Sequence, residues 1–271
     1  MKALILTGGK SSRMGTDKAS LVIGGSTLLD RLIALIKPLT NELFLSVAHD
    51  DQGDHELPVI ADLEPSPGPL GGLQAAFKND PEADWLLVAA DLPRLKAEDL
   101  QALVDAHDPN QDVTCFLNPL DQHPEPLCAL YSPSASAALD EAIRENRLCA
   151  RRFLTSLKRS ELTPSDPQAL LNLNRPEHLT ELELLHEHGP VEKEVSVEYF
   201  AKLSQEAGTN SETLQTTAAT LTGLWEEVRL RHGFTLDLPH VKPAIDNEFA
   251  DWTSPLTEGQ LIAFMPPFAG G

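Results

Sequence analysis

The sequence predicts an α/β protein in two parts: a three-layer α/β domain followed by a smaller α+β domain. In the first two-thirds of the chain, short apolar runs alternate with segments whose apolar residues recur at helical spacing. This alternation is typical of a sheet covered by helices on both faces. In the remainder, strand-like patterns surround one helical segment, which favours a small sheet crossed by a single helix.

The first part contains apolar runs of strand length and segments with helical periodicity. The run at 85–90 is apolar at every position, which is typical of a central parallel strand buried on both faces. Ser26 or Thr27 can cap the first helix, and the turn-rich stretch 65–72 precedes the second. Strands are predicted at 3–6, 43–47, 59–61, 85–90, 113–116 and 127–131, and helices at 28–36, near 73–77, and at about 97–106, 135–144 and 176–188.

A helix-breaking Gly189-Pro190 pair separates the two parts. It predicts a first domain at 1–189, a linker at 190–193 and a second domain at 194–271. The second domain opens with apolar residues at alternate positions, as in a half-solvated strand. Its predicted elements are strands at 195–199, 213–217, 244–245 and 261–264 and a helix that carries Leu221, Leu224, Trp225 and Val228 and ends at His232-Gly233.

The composition excludes several classes of function. With 21 basic and 41 acidic side chains, the chain carries a formal net charge of −20, so its surface repels nucleic acid and anionic membranes. No apolar stretch approaches the roughly 20 residues of a membrane span, and the N-terminus lacks a signal-peptide pattern. Three cysteines without metal-ligand spacing, Cys115, Cys128 and Cys149, indicate reduced, buried thiols. These features predict a cytoplasmic protein.

The loop after the first strand, LTGGKSSRMGTDK at 6–18, has the composition of a phosphate-binding loop. Gly8 and Gly9 can expose backbone N–H groups to an anion. Arg13 offers a planar fork for phosphate oxygens, and Lys18 a mobile charge. The loop lacks the spacing of a Walker A motif and of the dinucleotide-binding motif. The local chemistry predicts a phosphate cradle, with an ordinary strand-to-helix turn as the alternative.

Three polar residues lie at the ends of other predicted strands. Asp91 follows the most apolar strand, Asp62 follows the strand at 59–61, and Ser46 lies near the end of the strand at 43–47. Because ligands of open α/β sheets bind beyond the carboxyl ends of the strands, we expect these side chains to meet the first loop there. A carboxylate facing bound phosphate is a typical Mg²⁺ ligand. For both aspartates the alternative is a cap or turn role.

Four segments, in order, resemble the molybdenum cofactor guanylyltransferase family: 6–18, GPLGGL at 68–73, AADLP at 89–93 and NLNRPEHL at 172–179. The resemblance spans residues 1 to about 188 and implies a Rossmann-like, three-layer nucleotidyltransferase domain. Members of this family transfer GMP from GTP to the terminal phosphate of molybdopterin and release pyrophosphate. The resemblance therefore implies GTP and Mo-molybdopterin as substrates and Mg²⁺ as the metal.

The resemblance also implies roles for individual residues. Arg13, Lys18 and Asp91 would be catalytic, and Asp91 and Asn174 would contact the metal. The nucleotide-binding residues it implies are Leu6, Thr7, Gly8, Gly9, Lys18, Ser46 (where the family often has an asparagine), Asp62 (near the guanine or ribose) and Asp91.

The implied mechanism needs no protein nucleophile. The molybdopterin phosphate attacks the α-phosphorus of GTP in line and pyrophosphate leaves, while Mg²⁺, Lys18 and Arg13 neutralise charge. His123, in the loop HPEP, is interpreted as lining the substrate, with an ordinary loop position as the alternative. A second cationic cluster either holds the pterin phosphate or is a solvated helix face; it consists of Arg147, Arg151 and Arg152.

Residues from about 192 onward carry a separate resemblance. VEYFAKLSQEAG at 197–208 and PLTEGQLIAFMPPFAGG at 255–271 resemble the small subunit of molybdopterin synthase, a ubiquitin-like β-grasp sulfur carrier. In that family the C-terminal glycine is adenylated and converted to a thiocarboxylate. The resemblance implies sulfur transfer at Gly270-Gly271, with the molybdopterin synthase large subunit and an adenylating, sulfurating enzyme as partners. Because such a carrier must come last in a fusion, the order of the two resemblances is the order expected.

The leading interpretation is a bifunctional protein of molybdenum cofactor biosynthesis, in which a guanylyltransferase is joined to a sulfur carrier. Two alternatives stay open from the sequence. One is a nucleotidyltransferase that uses CTP or acts on a sugar phosphate, because the choice of base rests on the glycine motifs alone. The other is a sulfur carrier or scaffold whose first domain is inactive.

Overall fold

A computed structural model describes residues 1–7, 20–63, 66–173 and 175–266 of the chain. The chain divides into two units. The first comprises Met1–Val22 and Ser26–Asn172, and the second comprises Ile23–Gly25 and Leu173–Gly271. Each unit has its own main sheet and its own apolar core. No helix in these described ranges is both long and apolar enough to cross a bilayer.

The first unit alternates strands and helices, as the sequence predicts. Helix α1 (Leu28–Ile36) begins where Thr27 accepts the backbone N–H of Asp30 at 3.0 Å, while the Asp30 carboxylate accepts the N–H of Thr27. The other helices are α2 (Pro69–Asn79), α3 (Ala97–Asp105), α4 (Ala135–Arg144) and α5 (Ala150–Thr155). Between residues 2 and 162 the strands are β1 (Lys2–Leu6), β2 (Val22–Ile23), β3 (Ser26–Thr27), β4 (Leu43–Val47), β5 (Val59–Ala61), β6 (Trp85–Ala89), β7 (Val113–Leu117), β8 (Pro124–Tyr131) and β9 (Arg159–Leu162).

The main sheet of the first unit has the strand order β5-β4-β1-β6-β8-β7-β9. Strand β1 pairs in parallel with β4 and β6, and β4 pairs in parallel with β5. Strand β8 runs antiparallel to both β6 and β7. The carboxyl ends of β5, β4, β1 and β6 therefore lie on one edge of the sheet, together with the start of β8.

Helices cover both faces of this sheet and give it two cores, which confirms the three-layer prediction. On one face, Leu32 and Ile36 of α1 and Leu100 of α3 pack against Ile5 and Val88. On the other face, α2, α4 and α5 pack against the opposite side chains of the same strands. The residues of this second core include Leu4, Leu73, Phe77, Leu87, Leu139, Tyr131 and Phe153.

The second unit is built on a five-stranded sheet of order β11-β10-β14-β12-β13. Its strands β10 and β14 pair in parallel, and the other pairs are antiparallel. Trp225 is fully buried against Phe234 and Phe264, so the long helix packs across the sheet in the predicted β-grasp arrangement. The elements are α6 (Glu177–His188), β10 (Lys193–Tyr199), α7 (Lys202–Ala207), β11 (Ser211–Thr216), α8 (Leu221–His232), a 3₁₀ turn (Leu238–His240), β12 (Lys242–Ile245), β13 (Glu248–Phe249) and β14 (Leu261–Met265).

The structure corrects the expected burial of Cys149 and adds the direction of β8, which the sequence does not predict. Cys149 is exposed because it precedes α5 outside the sheet, whereas Cys115 and Cys128 are buried in strands. Burial raises the pKa of the Cys115 thiol to about 12. The run at 85–90 is parallel to β1 but antiparallel to β8. Burial on both faces carries no information about the direction of a neighbouring strand.

Strand β8 also begins earlier than predicted, at Pro124. Its pairing with β6 covers only the residues from Cys128 to Tyr131. Pro124 and Pro126 therefore stand beyond the end of β6, where a missing N–H breaks no ladder on that side. The sequence predicts a loop at these prolines, whereas they lie in a strand. The elements β9, α5 and α7 are also not predicted by the sequence.

The boundary between the two units differs from the predicted linker. Lys193, placed in the linker by sequence, opens β10, and its Nζ donates to the carbonyl of Ala218 at 2.6 Å. The second unit already begins at Leu173, because α6 packs on α8. The domain limits 1–189 and 194–271 stay a prediction.

Candidate functional site

The parallel register brings several of the predicted site residues to one edge of the first sheet. Leu6 lies opposite Ser46 on one side and opposite Ala89 on the other. Asp91 follows the end of β6 and Asp62 follows the end of β5. The crevice expected beyond the strand ends therefore receives side chains from four neighbouring strands.

Thr7, Ser46 and Asp62 form one hydrogen-bonded group at this edge. The Thr7 hydroxyl donates to the carbonyl oxygen of Ser46 at 2.7 Å. The buried Ser46 hydroxyl donates to Asp62 Oδ1 at 3.2 Å, and Ser66 donates to Oδ2 of the same carboxylate at 2.8 Å. The Asp62 side chain is thus held in a fixed orientation beyond the end of β5.

The motif GPLGGL forms the start of α2 and brings that helix close to the Ser46 group. Gly68 has φ = 71° at the N-cap position, a conformation that favours glycine, and Pro69 follows as the first helical residue. A Cβ on Gly72 would lie 2.7 Å from Leu6 Cδ2 and 2.8 Å from Ser46 Oγ. Glycine at 72 therefore lets the helix touch the ends of β1 and β4. The positive end of the α2 dipole points toward the same crevice.

Asp91 is half-buried and is held by Asn172. The Asn172 side-chain amide donates to Asp91 Oδ1 at 3.0 Å across 81 positions of sequence. The metal contact predicted from the motif NLNRPEHL is its second asparagine, Asn174, whereas the partner of Asp91 in the structure is the first, Asn172. Position 174 lies outside the described residues, so its role as a metal contact stays a prediction.

A buried ion pair fixes the segment that carries Asn172. Arg94, three residues after Asp91, donates through Nη2 to Asp166 Oδ2 at 2.8 Å and through Nη1 to Gln168 at 2.6 Å. Both charged side chains are less than a tenth exposed. A buried bidentate-type guanidinium contact has strong directional preference. It ties the loop after β6 to the segment 166–172 and so places Asn172 beside Asp91.

Glu125 is a second carboxyl at this position that sequence analysis missed. Antiparallel pairing of Val88 with Cys128 places position 125 opposite position 91 when the register is continued past the end of β6. Glu125 is 8% exposed and accepts the N–H of Leu127 at 2.9 Å. Burial raises its pKa from 4.5 to about 7, and the nearby Asp91 acts in the same direction. The signal in the sequence is an acid enclosed by two prolines directly before an apolar run.

The three arginines of the second cationic cluster are separated by the structure. Arg151, at the start of α5, forms an ion pair with Asp121 at 3.1 Å, and its charge also acts on Glu125. Arg147 pairs with exposed Glu145 at 2.7 Å, and Arg152 is exposed. Arg151 is therefore the member of the cluster that stands next to the strand-end carboxyls.

His123 is exposed in the turn between β7 and β8. Its backbone N–H donates to Asp121 Oδ1 at 3.0 Å, and its carbonyl accepts the N–H of Asn118. These bonds fix the turn that leads into Glu125. The predicted contact of the His123 ring with substrate stays a prediction.

The donor groups around Asp91 fit a magnesium ion. The side chains brought together are Asp91, Glu125 and the amide of Asn172, whose oxygens are the hard ligands that Mg²⁺ prefers. Mg²⁺ is commonly held by one or two carboxylates, and Asp91 and Glu125 are two carboxyl groups that lie at this position. Within the described residues, no group of three or more His, Cys, Asp or Glu side chains is arranged to hold a metal ion.

Seven of the predicted functional residues lie outside the described ranges. They are Gly8, Gly9, Arg13, Lys18, Asn174, Gly270 and Gly271. Their roles in binding phosphate, metal and sulfur stay predictions.

Two family models match the chain. One, described as MobA-like NTP transferase domain, matches residues 3–161, which is more than half of the chain. The other, described as the ThiS family, matches residues 197–271. The two matches fall on the α/β unit and on the β-grasp sheet respectively.

Curated relatives match mainly over the first part. The molybdenum cofactor biosynthesis bifunctional protein of Synechocystis sp. is 30% identical over 177 residues, which are 64% of this chain and 51% of that protein. The chain thus spans about half the length of that relative. A probable molybdenum cofactor guanylyltransferase of Synechococcus elongatus is 34% identical over 189 residues, covering 67% of this chain and 97% of that protein.

Solved structures share the fold of the first part. Molybdopterin-guanine dinucleotide biosynthesis protein A from Archaeoglobus fulgidus matches with a TM-score of 0.59 at 23% identity, covering 69% of this chain and 99% of that one. A 2-C-methyl-D-erythritol 4-phosphate cytidylyltransferase from Thermus thermophilus matches with a TM-score of 0.53 at 12% identity, covering 68% and 98%. At such identities the likeness shows the fold alone. The fold is shared by proteins named for guanine and for cytidine nucleotides, so it does not determine which nucleotide is used.

Proposed function

This chain belongs to the MobA-like NTP transferase domain family and carries a ThiS-family domain after it, and on that premise we propose that it transfers GMP from GTP to Mo-molybdopterin. The products are pyrophosphate and the guanine dinucleotide form of the cofactor. The observation that carries the proposal is the pairing of Asp91 with Asn172 at the same strand edge as the Ser46–Asp62 group. Similarity to the probable molybdenum cofactor guanylyltransferase of Synechococcus elongatus supports the choice of substrate.

In this proposal the edge of β1 and β4 binds the nucleoside. Leu6 and Thr7 bring the backbone of β1 to the crevice, and Ser46 and Ser66 orient the Asp62 carboxylate toward the base or ribose. The first turn of α2 adds a positive dipole close to these groups. Lys18 and Arg13, in the loop after β1, bind the phosphates.

The opposite side of the crevice serves the transfer step. Asp91, held by Asn172 and aided by Glu125, would hold Mg²⁺, which supplies charge neutralisation for the phosphates when bound. The molybdopterin phosphate attacks the α-phosphorus of GTP, a new phosphorus–oxygen bond forms, and the bond to pyrophosphate breaks. Arg151 lies beside these carboxyls and is the cluster member we assign to the acceptor phosphate.

The ThiS-family domain carries sulfur on Gly271 in this proposal. The terminal carboxylate is adenylated, converted to a thiocarboxylate and presented to a molybdopterin synthase large subunit. Support comes from the family match over 197–271 and from the β-grasp sheet of the second unit.

A substrate competition tests the transferase. The full chain is incubated with Mg²⁺, molybdopterin and either GTP or CTP, while pyrophosphate release and product mass are followed. We expect kcat/KM for GTP to exceed that for CTP by at least about tenfold, which corresponds to about 1.4 kcal/mol of discrimination. Preference for CTP, or activity only with a sugar phosphate acceptor, contradicts the proposal. No turnover with any nucleotide points to a carrier with an inactive first domain.

Mass spectrometry tests the carrier separately. The full chain is incubated with an adenylating, sulfurating enzyme, ATP and a sulfur donor, and the C-terminal peptide is weighed. We expect replacement of one carboxylate oxygen of Gly271 by sulfur. An unchanged mass in a reaction where a known carrier is converted overturns this half of the proposal.

A further inference from the structure

Helix α6 is attached to the start of α8 by one buried carboxylate. Glu181 is 5% exposed and lies 38 and 39 positions before the two residues it bonds. It accepts the backbone N–H of Ala219 at 2.9 and 3.0 Å, the N–H of Thr220 at 2.6 Å and the Thr220 hydroxyl at 2.8 Å. These N–H groups precede or begin a helix, where backbone donors are unsatisfied by the helix itself. Glu181 therefore completes the N-terminal cap of α8 from another segment.

The surface of α8 is shaped to accept this carboxylate. A Cβ on Gly223 would lie 2.5 Å from Glu181 Oε1 and 2.7 Å from Oε2. An alanine at 223 is favoured by helix propensity, so glycine there is explained by the close approach of Glu181 and not by the helix. The positive dipole end of α8 and the negative charge of Glu181 are also complementary.

Two further contacts extend the same interface within the second unit. His178, one turn before Glu181 on α6, is mostly buried and lies 3.7 Å from Glu226 of α8. Arg175 pairs with Asp237 at 3.3 Å. The contacts thus run from Arg175, two residues before α6, to the middle of that helix.

The covalent connection between α6 and the β-grasp sheet is exposed by comparison. Pro190, Val191 and Glu192 are all exposed, and Val191 is 56% exposed. Regular hydrogen bonding to the sheet resumes at Lys193. The buried non-covalent contacts of α6 are therefore made with the start and middle of α8.

We propose that α6 is a docking helix for the β-grasp domain, which binds it through the Ala219–Gly223 end of α8. Cutting the chain at residues 190–192 then leaves the two fragments associated. The carrier domain defined by its contacts includes the segment from Arg175 to His188, ahead of the boundary that the sequence predicts. The inference does not depend on the proposed transfer chemistry.

A nicked full-length chain tests this inference. A protease recognition sequence is inserted after Val191, the protein is cleaved, and the product is examined by size-exclusion chromatography and sedimentation at micromolar concentration. We expect the fragments to migrate together, and to separate only in denaturant. Separation of the two fragments in native buffer overturns the proposal.

Paired variants identify the docking contact. E181A should weaken the association of the nicked fragments by on the order of a hundredfold or more, because it leaves buried N–H groups without an acceptor. E187A is the matched control, since Glu187 lies on the same helix and its side chain is 66% exposed. Equal dissociation constants for E181A and E187A would overturn the proposal.

G223A tests the same contact from the other side. The added methyl group displaces the Glu181 carboxylate, so we expect a loss of association similar to that of E181A. Because alanine strengthens the helix, such a loss cannot arise from melting of α8. The double variant E181A/G223A should show no further loss. Unchanged association in G223A contradicts the proposed interface even if E181A fails to fold.

Discussion

The first turns of α2 and α8 are built alike and are used differently. Each contains a glycine at which a Cβ would strike a polar side chain: Gly72 faces Ser46 Oγ at 2.8 Å, and Gly223 faces Glu181 Oε1 at 2.5 Å. At α8 the Thr220 side chain caps the helix, and Glu181 accepts the flanking N–H groups. At α2 no side chain of the described residues caps the helix, and its first turn contains no acid. The N-terminus of α8 is therefore capped by side chains of the second unit. The N-terminus of α2 has no side-chain cap among the described residues.

Two buried carboxyls show the same difference. Glu181 accepts four hydrogen bonds and is part of what holds the second unit together. Glu125 accepts the N–H of Leu127, and burial and the neighbouring Asp91 raise its pKa. Glu181 is compensated by its hydrogen bonds, whereas the raised pKa of Glu125 shows that burial of its charged form is costly.

The largest effect on activity is expected at Asp91, at the strand ends of the first unit. Replacement of Asp91 by alanine should lower nucleotidyl transfer by on the order of 10³-fold, because the charge that holds the metal is lost. The free energy of unfolding should change by less than about 1 kcal/mol, since Asp91 is half-buried and outside both cores. Pyrophosphate release and chemical denaturation measure the two quantities. D54A, in an exposed loop, is the matched control.

Retention of more than a tenth of the wild-type rate in D91A contradicts the assignment of the site. A comparable loss of activity in D54A would show that the reaction depends on the overall negative charge of the protein and not on the carboxylate of Asp91.

Replacement of Glu125 by glutamine should stabilise the metal-free protein at high pH. Because burial raises the pKa of Glu125 from 4.5 to about 7, the folded protein binds this proton more tightly than the unfolded chain does. The stability of the wild type therefore falls as pH rises from about 4.5 to 7, and the full penalty is present above 7. E125Q lacks this penalty, which is at most about 3 kcal/mol.

Thermal unfolding of both proteins from pH 4.5 to 8, with chelator present, measures this effect. We expect the advantage of E125Q to be greatest at pH 8 and to vanish near pH 4.5. A constant difference across this range would show that Glu125 is ionised throughout in the folded protein.

Replacement of Thr220 by alanine probes the completed helix end. Thr220 is fully buried and caps α8, so its loss should lower the free energy of unfolding by about 1–2 kcal/mol. Nucleotidyl transfer at saturating substrate should stay within twofold of the wild type. Denaturant titration measures the free energy of unfolding, and the pyrophosphate assay measures turnover. A fall in turnover without a fall in stability would contradict a purely structural role for the capped end of α8.

Replacement of Gly72 by alanine probes the open helix end and has the smallest expected effect. The new methyl group meets Leu6 and Ser46, so we expect KM for the nucleotide to rise by about tenfold, or about 1.4 kcal/mol. Helix propensity favours the substitution, so stability should change little. Q74A, on the same helix and bonded to Asp140, is the control. An unchanged KM in G72A means that the approach of α2 to Ser46 has no part in binding.

Sequence was sufficient where one local signal determines the position. Apolar runs located six of the seven strands of the first sheet, and the parallel order of four of them carried Ser46, Asp62 and Asp91 to one edge. The Thr27 cap followed from a residue type at a fixed offset from the helix. Signals of this kind depend on neighbouring residues in the sequence, so they can be predicted without knowing which distant segment packs against them.

Sequence was insufficient where the partner is distant and its direction is unknown. Glu125 joins Asp91 only because β8 runs antiparallel to β6, and no periodicity reports that direction. Asn172 reaches Asp91 because Arg94 binds Asp166 across 72 positions. Glu181 caps a helix in a segment that the sequence assigns to another domain. Each of these contacts is set by tertiary packing and not by local pattern.

The parallel pairing of β10 and β14 determines at which end of the five-stranded sheet the chain enters and leaves. The chain enters the sheet at Lys193 and leaves β14 at the opposite end, beside Tyr199. Lys193 also bonds Ala218, so the end of α8 that holds α6 lies at the entry side. The described chain therefore leaves the sheet at the end away from the contact between α6 and α8, so substitutions can probe the two ends of the sheet independently.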